Sequence, residues 1–211
     1  MKKLNAIGAK YGTDKGDSGH TFKDQNYLDI YHEYVKSFRQ EAFNFLEIGV
    51  RDGASMRMWS DYFPNATIIG LDIDPSCKDV EKGRDNINIE IGSQEDEEFL
   101  NEIIEKYKSF KVILDDGSHI NTMIMKSFNV LNKYVENFYI IEDLANSYIN
   151  LNDHNVLSWP GMSQNKNLQA DNSVSRPAFN KMMFDLIKEL DGRRSDWRAF
   201  HFHAQILVLE K

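Results

Sequence analysis

A single cysteine, Cys77, stands in 211 residues. No intrachain disulfide can form, and the composition fits a reducing, cytoplasmic compartment. No run of about 18 apolar residues occurs, so no membrane-spanning helix is expected. The opening MKKLNAIGAKYGTDKG carries lysines without an apolar stretch behind them, which argues against a secretory signal. Positive charge is scarce: 25 Lys and Arg stand against 33 Asp and Glu, a formal net charge of −8. A surface that tracks nucleic-acid phosphates is therefore not expected. The densest basic group, Arg193, Arg194 and Arg198, reads as a solvated helix end. Repeats, linkers and low-complexity tracts are also missing, so one domain over 1–211 is expected, with its core drawn from the 41% apolar and 12% aromatic content. The surplus of carboxylates leaves room for a small substrate or a metal ion, and homo-oligomerisation stays open.

The chain is organised around FNFLEIGVRDG, 43–53. A short apolar run ends in Glu47-Ile48-Gly49, and a Gly-containing turn leads into ASMRMWSDYF. This predicts a buried strand (43–48), a tight loop and a helix (55–62) that starts at Ser55, the first half of a nucleotide-type βα unit. Gly49 and Gly53 suit a loop whose backbone N–H groups approach a ligand closely. The E-x-G-x-x-x-G spacing differs from the G-x-G-x-x-G of dinucleotide dehydrogenases. ATIIGLDID predicts a second strand (66–71) closing in Asp72, next to Ile73. An acid about 20 residues past the glycine loop is placed to accept from ribose hydroxyls, although a turn or cap role is the alternative. A third strand (86–91) precedes a helix to about 107 that Ser93 or Asp96 would cap. Ser93, Gln94 and Asp96 border the region where an adenine would lie. Strands at 110–114 and 137–141, with a helix at 121–134 between them, continue the alternation. The stretch 146–176 has no clean period and reads as a substrate loop or lid. Pro177 suits the first turn of a helix to about 190, and WRAFHFHAQILVLEK predicts a terminal hairpin broken near 203–204. At the other end, 1–40 reads as a cap: turn-rich through YGTDKGDSGH, then a helix over 25–39 with Tyr27, Leu28, Tyr31, Tyr34, Val35 and Phe38 at helical spacing. The alternation predicts an α/β fold with a mostly parallel sheet.

The chemistry concentrates at two predicted strand ends. DDGSH (115–119) follows strand four and EDL (142–144) follows strand five. If those strands are parallel neighbours, their ends lie about 4.8 Å apart, and Asp115, Asp116, Glu142 and Asp143 crowd one small volume. Such a group is relieved by protonation or by a cation. An all-oxygen set favours a hard ion, Mg²⁺ first, with Mn²⁺ or Ca²⁺ as alternatives. Asp116, Glu142 and Asp143 are the expected ligands, with Asp115 nearer the cofactor. Helix capping is the plainer alternative for all four. His119, at the start of the next helix, is expected to be neutral near pH 7 and able to accept a proton.

The segments YGTDK, LEIGVRDGASMRMW, YFPNATIIGLDID, DDGSH, IEDL and LVLEK resemble the metal-dependent sugar O-methyltransferases of the mycinamicin and macrocin macrolide pathways and related bacterial polysaccharide-cluster enzymes. The resemblance implies a class I, Rossmann-like methyltransferase fold with a seven-stranded sheet in the order 3-2-1-4-5-7-6, the last strand antiparallel. It implies S-adenosylmethionine (SAM) on Glu47, Gly49, Asp72 and the Ser93–Gln94 region, Mg²⁺ on Asp116, Glu142 and Asp143, and His119 as base. Tyr11, Thr13, Asp14, Lys15 and His20 become substrate or cofactor candidates. The implied reaction is methyl transfer to a hydroxyl of a small sugar-containing acceptor. A metal-dependent hydrolase, or a non-catalytic SAM-binding protein, are the competing readings.

Overall fold

The computed structural model describes residues 3–16, 25–148 and 166–211. In chain order its strands are β1 Asn44–Ile48, β2 Thr67–Asp72, β3 Ile87–Ile91, β4 Phe110–Asp115, β5 Val135–Ile141, β6 Ala199–His203 and β7 Ile206–Glu210. The helices are α1 Lys3–Tyr11, α2 Tyr27–Val35, α3 Ala54–Tyr62, α4 Glu97–Tyr107, α5 Asn121–Leu131 and α6 Lys166–Asp191. The strands form one sheet in the order β3-β2-β1-β4-β5-β7-β6. β1, β2 and β3 pair in parallel, as do β4 and β5, whereas β7 is antiparallel to β5 and β6. The predicted order and the antiparallel last strand are both found. The chain divides into two compact units, Met1–Ser93 and Gln94–Lys211.

In the first unit the β1–β2 layer is apolar, with Phe45, Leu46, Ile68 and Ile69 buried. α3 lays Met56 and Trp59 inside. The Trp59 ring stacks on Phe63 at 5.8 Å and meets Phe45 at 4.8 Å. α2 opens on a capping box in which the Asn26 side chain accepts from the Asp29 amide and Asp29 accepts from the Asn26 amide, so two orphan donors are satisfied together. Of the aromatics of α2, Tyr27 and Tyr31 are buried as the spacing predicts, while Tyr34 is half-buried. One expectation fails here. Residues 3–11 are helical rather than turn-rich. α1 turns only Leu4 and Gly8 inward, one helical turn apart. At Gly8 an added Cβ would lie 2.4 Å from Leu28 Cδ1, so α1 meets α2 through backbone, and the apolar stripe that marks a helix in sequence is reduced to almost nothing.

In the second unit β4 and β5 are buried over most of their length. Phe128 of α5 packs edge-on to Tyr139 of β5 and stacks on Trp197. α4 starts at Asp96, whose Oδ1 accepts from the Glu98 and Phe99 amides, so of the two capping candidates Asp96 has that role. The C-terminal hairpin turns at Ala204-Gln205. The predicted irregular stretch 146–176 needs correction in its last part. α6 is already helical at Lys166, and Pro177 lies inside it rather than in its first turn. The inward positions are Asn172, Phe179 and Met183, at spacings of seven and four. A polar residue holds the first of them, which breaks the apolar period upstream of the proline. Residues 149–165 of the predicted loop lie outside the described residues. Among the described residues no helix is long and apolar enough to cross a membrane.

Candidate active site

β1 ends where Gly49, at φ 94°, turns the chain and donates its N–H to Leu71 O at 2.8 Å. The loop closes at Gly53, φ 77°, which precedes α3. An added Cβ on Gly53 would lie 2.4 Å from Val80 Cγ1, so this glycine answers to a neighbouring side chain as well as to its left-handed backbone. Asp72 reaches back from the end of β2. Its Oδ2 accepts from the Val50 amide at 2.8 Å and the Arg51 amide at 3.0 Å, and its Oδ1 from the Asp74 amide at 2.9 Å. Burial alone would raise its pKa. The three amides and the Cys77 thiol outweigh burial and hold the carboxyl below its ordinary value. Asp72 thus pins the glycine loop, a role that periodicity alone could not distinguish from ribose binding. Ser55 is buried in the first turn of α3, Ile73 is 72% exposed just past β2, and Ser93 is half-buried in the loop after β3.

The GTDK segment forms a short 3-10 turn, Asp14–Gly16, tied to β1 and its loop. Lys15 Nζ lies 3.6 Å from Glu47 Oε1, and both side chains are buried. Asp14 accepts from Arg51 at 2.8 Å in an exposed pair. Thr13 is buried, and its amide donates to Gly8 O. Tyr11 belongs to a separate cluster: its hydroxyl donates to Asp61 Oδ2 at 2.6 Å and accepts from Arg84 at 2.5 Å. His20 lies outside the described residues.

In the second unit the β4–β5 register pairs Asp115 with Ile141. DDGSH and EDL therefore leave adjacent strand ends, the condition on which the acid cluster depends. Asp116, His119 and Asp143 converge, each offering an atom within 4.8 Å of the others. His119 Nε2 is 3.6 Å from Asp143 Oδ2 and 3.9 Å from Asp116 Oδ1, and all three side chains are partly exposed. His119 at φ 56° and Asp143 at φ 53° occupy the left-handed region, which costs a non-glycine residue roughly 1–2 kcal/mol and clusters at functional sites. Two carboxylates and an imidazole within mutual reach are a donor set that suits a divalent ion. Glu142, expected as a third ligand, is buried and lies outside this group, its amide donating to Asp115 O. His119 precedes α5, which begins at Asn121, by two residues.

Asp115 points the other way, into the protein. It accepts from Ser127 Oγ at 2.8 Å and, at longer range, from Gln94 Nε2 and the Gly117 amide. Burial pushes its pKa up to about 6 against these hydrogen bonds and the nearby His119. Gln94 Oε1 accepts from the Ser118 amide at 2.7 Å, so Gln94 braces the DDGSH loop as well as Asp115.

One residue the sequence reading did not select takes part here. Asn172 of α6 is fully buried, with Nδ2 donating to His119 O at 2.7 Å and Asn146 O at 2.9 Å and Oδ1 accepting from the Asn121 amide at 2.7 Å. The available signal was an asparagine one helical repeat ahead of the apolar stripe of α6, which only coordinates make meaningful.

Sheet order, glycine loop and acid cluster define a class I methyltransferase fold, and the chain is related to the macrolide sugar O-methyltransferases. It is 32% identical over 167 residues to L-olivosyl-oleandolide 3-O-methyltransferase of Streptomyces antibioticus, covering 75% of this chain and 39% of that one. It is 33% identical over 167 residues to demethylmacrocin O-methyltransferase of Streptomyces fradiae, covering 75% and 38%. Among solved structures, MycE methyltransferase of the mycinamycin biosynthetic pathway, in complex with Mg, SAH and mycinamycin VI, superposes with a TM-score of 0.73 at 27% identity, over 100% of this chain and 55% of that one. The chain thus spans under two fifths of the length of those curated relatives. No protein-family model matches it.

Proposed function

We propose that the chain is a SAM-dependent O-methyltransferase, a single catalytic domain over 1–211, acting with Mg²⁺ or Mn²⁺ on a sugar hydroxyl of a small glycosylated acceptor. The observation that carries this reading is the convergence of Asp116, His119 and Asp143 at the paired ends of β4 and β5. The relatives support it by what they act on: L-olivosyl-oleandolide for one, demethylmacrocin for another. The structure of MycE with Mg and SAH supports the choice of cofactors.

When bound, the cation supplies Lewis acidity and SAM the activated methyl group. Asp116 and Asp143 hold the ion in either of two arrangements. The third protein ligand is Glu142 in the arrangement that the family resemblance implies, and His119 in the one that the side-chain positions offer. Only the first leaves His119 Nε2 to take the proton from the acceptor hydroxyl. For SAM we propose Glu47, Gly49, Gly53, Ser55, Asp72, Ile73, Ser93, Gln94 and Asp115. Tyr11, Thr13, Asp14, Lys15, His20 and the segment 146–176 are proposed to border the acceptor. Most of the rate would then come from orientation and from electrostatics around the cluster.

The test is methyl transfer from SAM to a panel of nucleotide-sugars and glycosylated small molecules, with Mg²⁺ and with excess EDTA, alongside calorimetry with SAH. Turnover that needs the metal is expected. Failure to bind SAH at millimolar levels would overturn the reading, and full activity in EDTA would remove the ion. His119→Ala distinguishes the two arrangements: a base is lost with Mn²⁺ affinity kept and the rate down by about 10²–10⁴, whereas a ligand is lost with both reduced.

A further inference from the structure

We infer that Asn172 is a positioning residue for the Asp116–His119–Asp143 group, its carboxamide fixing the two loops that carry those side chains. The inference rests on the metal reading proposed above. Asn172 is fully buried on α6, in a position that continues the inward stripe of Phe179 and Met183. A core-facing site is ordinarily apolar, and a polar group there must satisfy its donors and acceptors from the protein. Asn172 does so with three different segments. The two Nδ2 protons go to His119 O, in the loop after β4, and to Asn146 O, in the turn after β5. Oδ1 takes the Asn121 amide, at the start of α5.

The connection reaches two of the three candidate ligands. Asn172 bonds the carbonyl of His119 directly. Asn146, held by the same Nδ2, donates its own amide to Asp143 O at 2.9 Å. Through the Asn172 carboxamide and the Asn146 backbone, hydrogen bonds therefore link His119 to Asp143. Both of those residues have positive φ, a conformation that neighbouring structure must impose. Losing a partner behind a ligand typically costs about 10–100-fold in metal affinity. Asn121 gives an internal contrast. It is equally buried, and its Nδ2 reaches Ser147 O and Asn172 O, with no bond to His119 or Asn146.

The experiment titrates the full chain with Mn²⁺ alone, followed by electron paramagnetic resonance of the free ion, with SAH affinity and thermal melting measured in parallel. The variants are Asn172→Leu, which keeps the branched shape without hydrogen bonds, and Asn172→Asp, which keeps the acceptor and loses both donors when ionised. Each is expected to weaken Mn²⁺ about 10-fold or more, with SAH affinity unchanged. An added carboxylate by itself would strengthen cation binding, so weakening in Asn172→Asp reports lost positioning even if Asn172→Leu does not fold. Asn121→Ala is expected to melt earlier and to bind Mn²⁺ as the wild type does. Wild-type Mn²⁺ affinity in Asn172→Asp, or equal weakening in Asn121→Ala, would overturn the inference while leaving the metal reading in place. A wild-type chain that takes up no Mn²⁺ would overturn both.

Discussion

Lys15→Met isolates the buried ion pair under the glycine loop. Lys15 and Glu47 are at most 2% exposed, with Nζ and Oε1 3.6 Å apart. At an effective dielectric of about 20 that separation corresponds to about 5 kcal/mol of attraction, through 332/(20 × 3.6). Methionine keeps the apolar stem of the lysine and removes only the charge, so Glu47 loses that attraction in a place where water cannot replace it. Breaking one side of a buried pair ordinarily costs about 3–5 kcal/mol, in line with the Coulomb figure. For a chain of this length that is a fall in Tm of roughly 6–20 °C. Glu47→Gln in the Lys15→Met background should recover much of the loss, because the stranded charge is gone. The pair also makes its own control. Arg51 and Asp14 form a 2.8 Å bridge on the same turn, but their side chains are 82% and 47% exposed. Arg51→Ala should cost no more than about 1 kcal/mol, and that small effect should fade in high salt. The assay is chemical and thermal unfolding of the wild type and the three variants in low and high salt. A Lys15→Met chain within about 1 kcal/mol of wild type, or a double variant no better than the single one, would refute the claim that this turn is fastened by charge.

Three further outcomes follow from the first unit. Burial works to raise the Asp61 pKa, but hydrogen bonds from Lys10, Tyr11 and Arg84 outweigh it and hold the carboxyl far below its usual range. A depressed carboxyl stabilises the fold fully above its unfolded pKa of about 4 and loses that contribution as pH falls. Asp61→Asn should therefore melt below wild type at neutral pH, with the gap closing in acid; a gap constant with pH would contradict this. Burial, and then Asp72, push the Cys77 thiol up to about 11. A disulfide reagent near pH 8 should label it slowly in the native chain and quickly in denaturant, whereas an exposed thiol of pKa about 8.5 would react in both. Gly53→Ala sets a Cβ 2.4 Å from Val80 Cγ1 at a φ of 77°. Unfolding measurements should show a loss of roughly 1–3 kcal/mol, partly restored by Val80→Ala, since the clash and the left-handed strain are separate costs.

What could be read from the sequence divides along the range of the forces involved. The strands themselves were legible because β1, β2, β4 and β5 are short apolar runs closed by Gly, Asp or Glu, and those signals are local; their order followed from the family resemblance. The meeting of DDGSH with EDL followed once β4 and β5 were parallel neighbours, but which acids turn to the cluster did not: Asp116 and Asp143 do, while Asp115 and Glu142 are buried elsewhere. The errors fall where an inward-facing position carries the wrong kind of residue. Gly8 lets α1 approach α2 through its backbone, so α1 shows no stripe. Asn172 holds an inward position of α6 with an amide, so the helix looked irregular until Pro177. The site shows the same division. Asp72 was recognisable as the acid that ends β2, but which donors it faces depends on how Val50, Arg51 and Asp74 turn back on it. His119 and Asp143 were recognisable as chemistry, but their positive φ angles and the amide behind them depend on a helix that starts more than 20 residues later in the chain. A buried polar residue in an apolar stripe is thus the one sequence signal here that marks where a core element has been given a second task, because burial without partners would cost more than any apolar substitute.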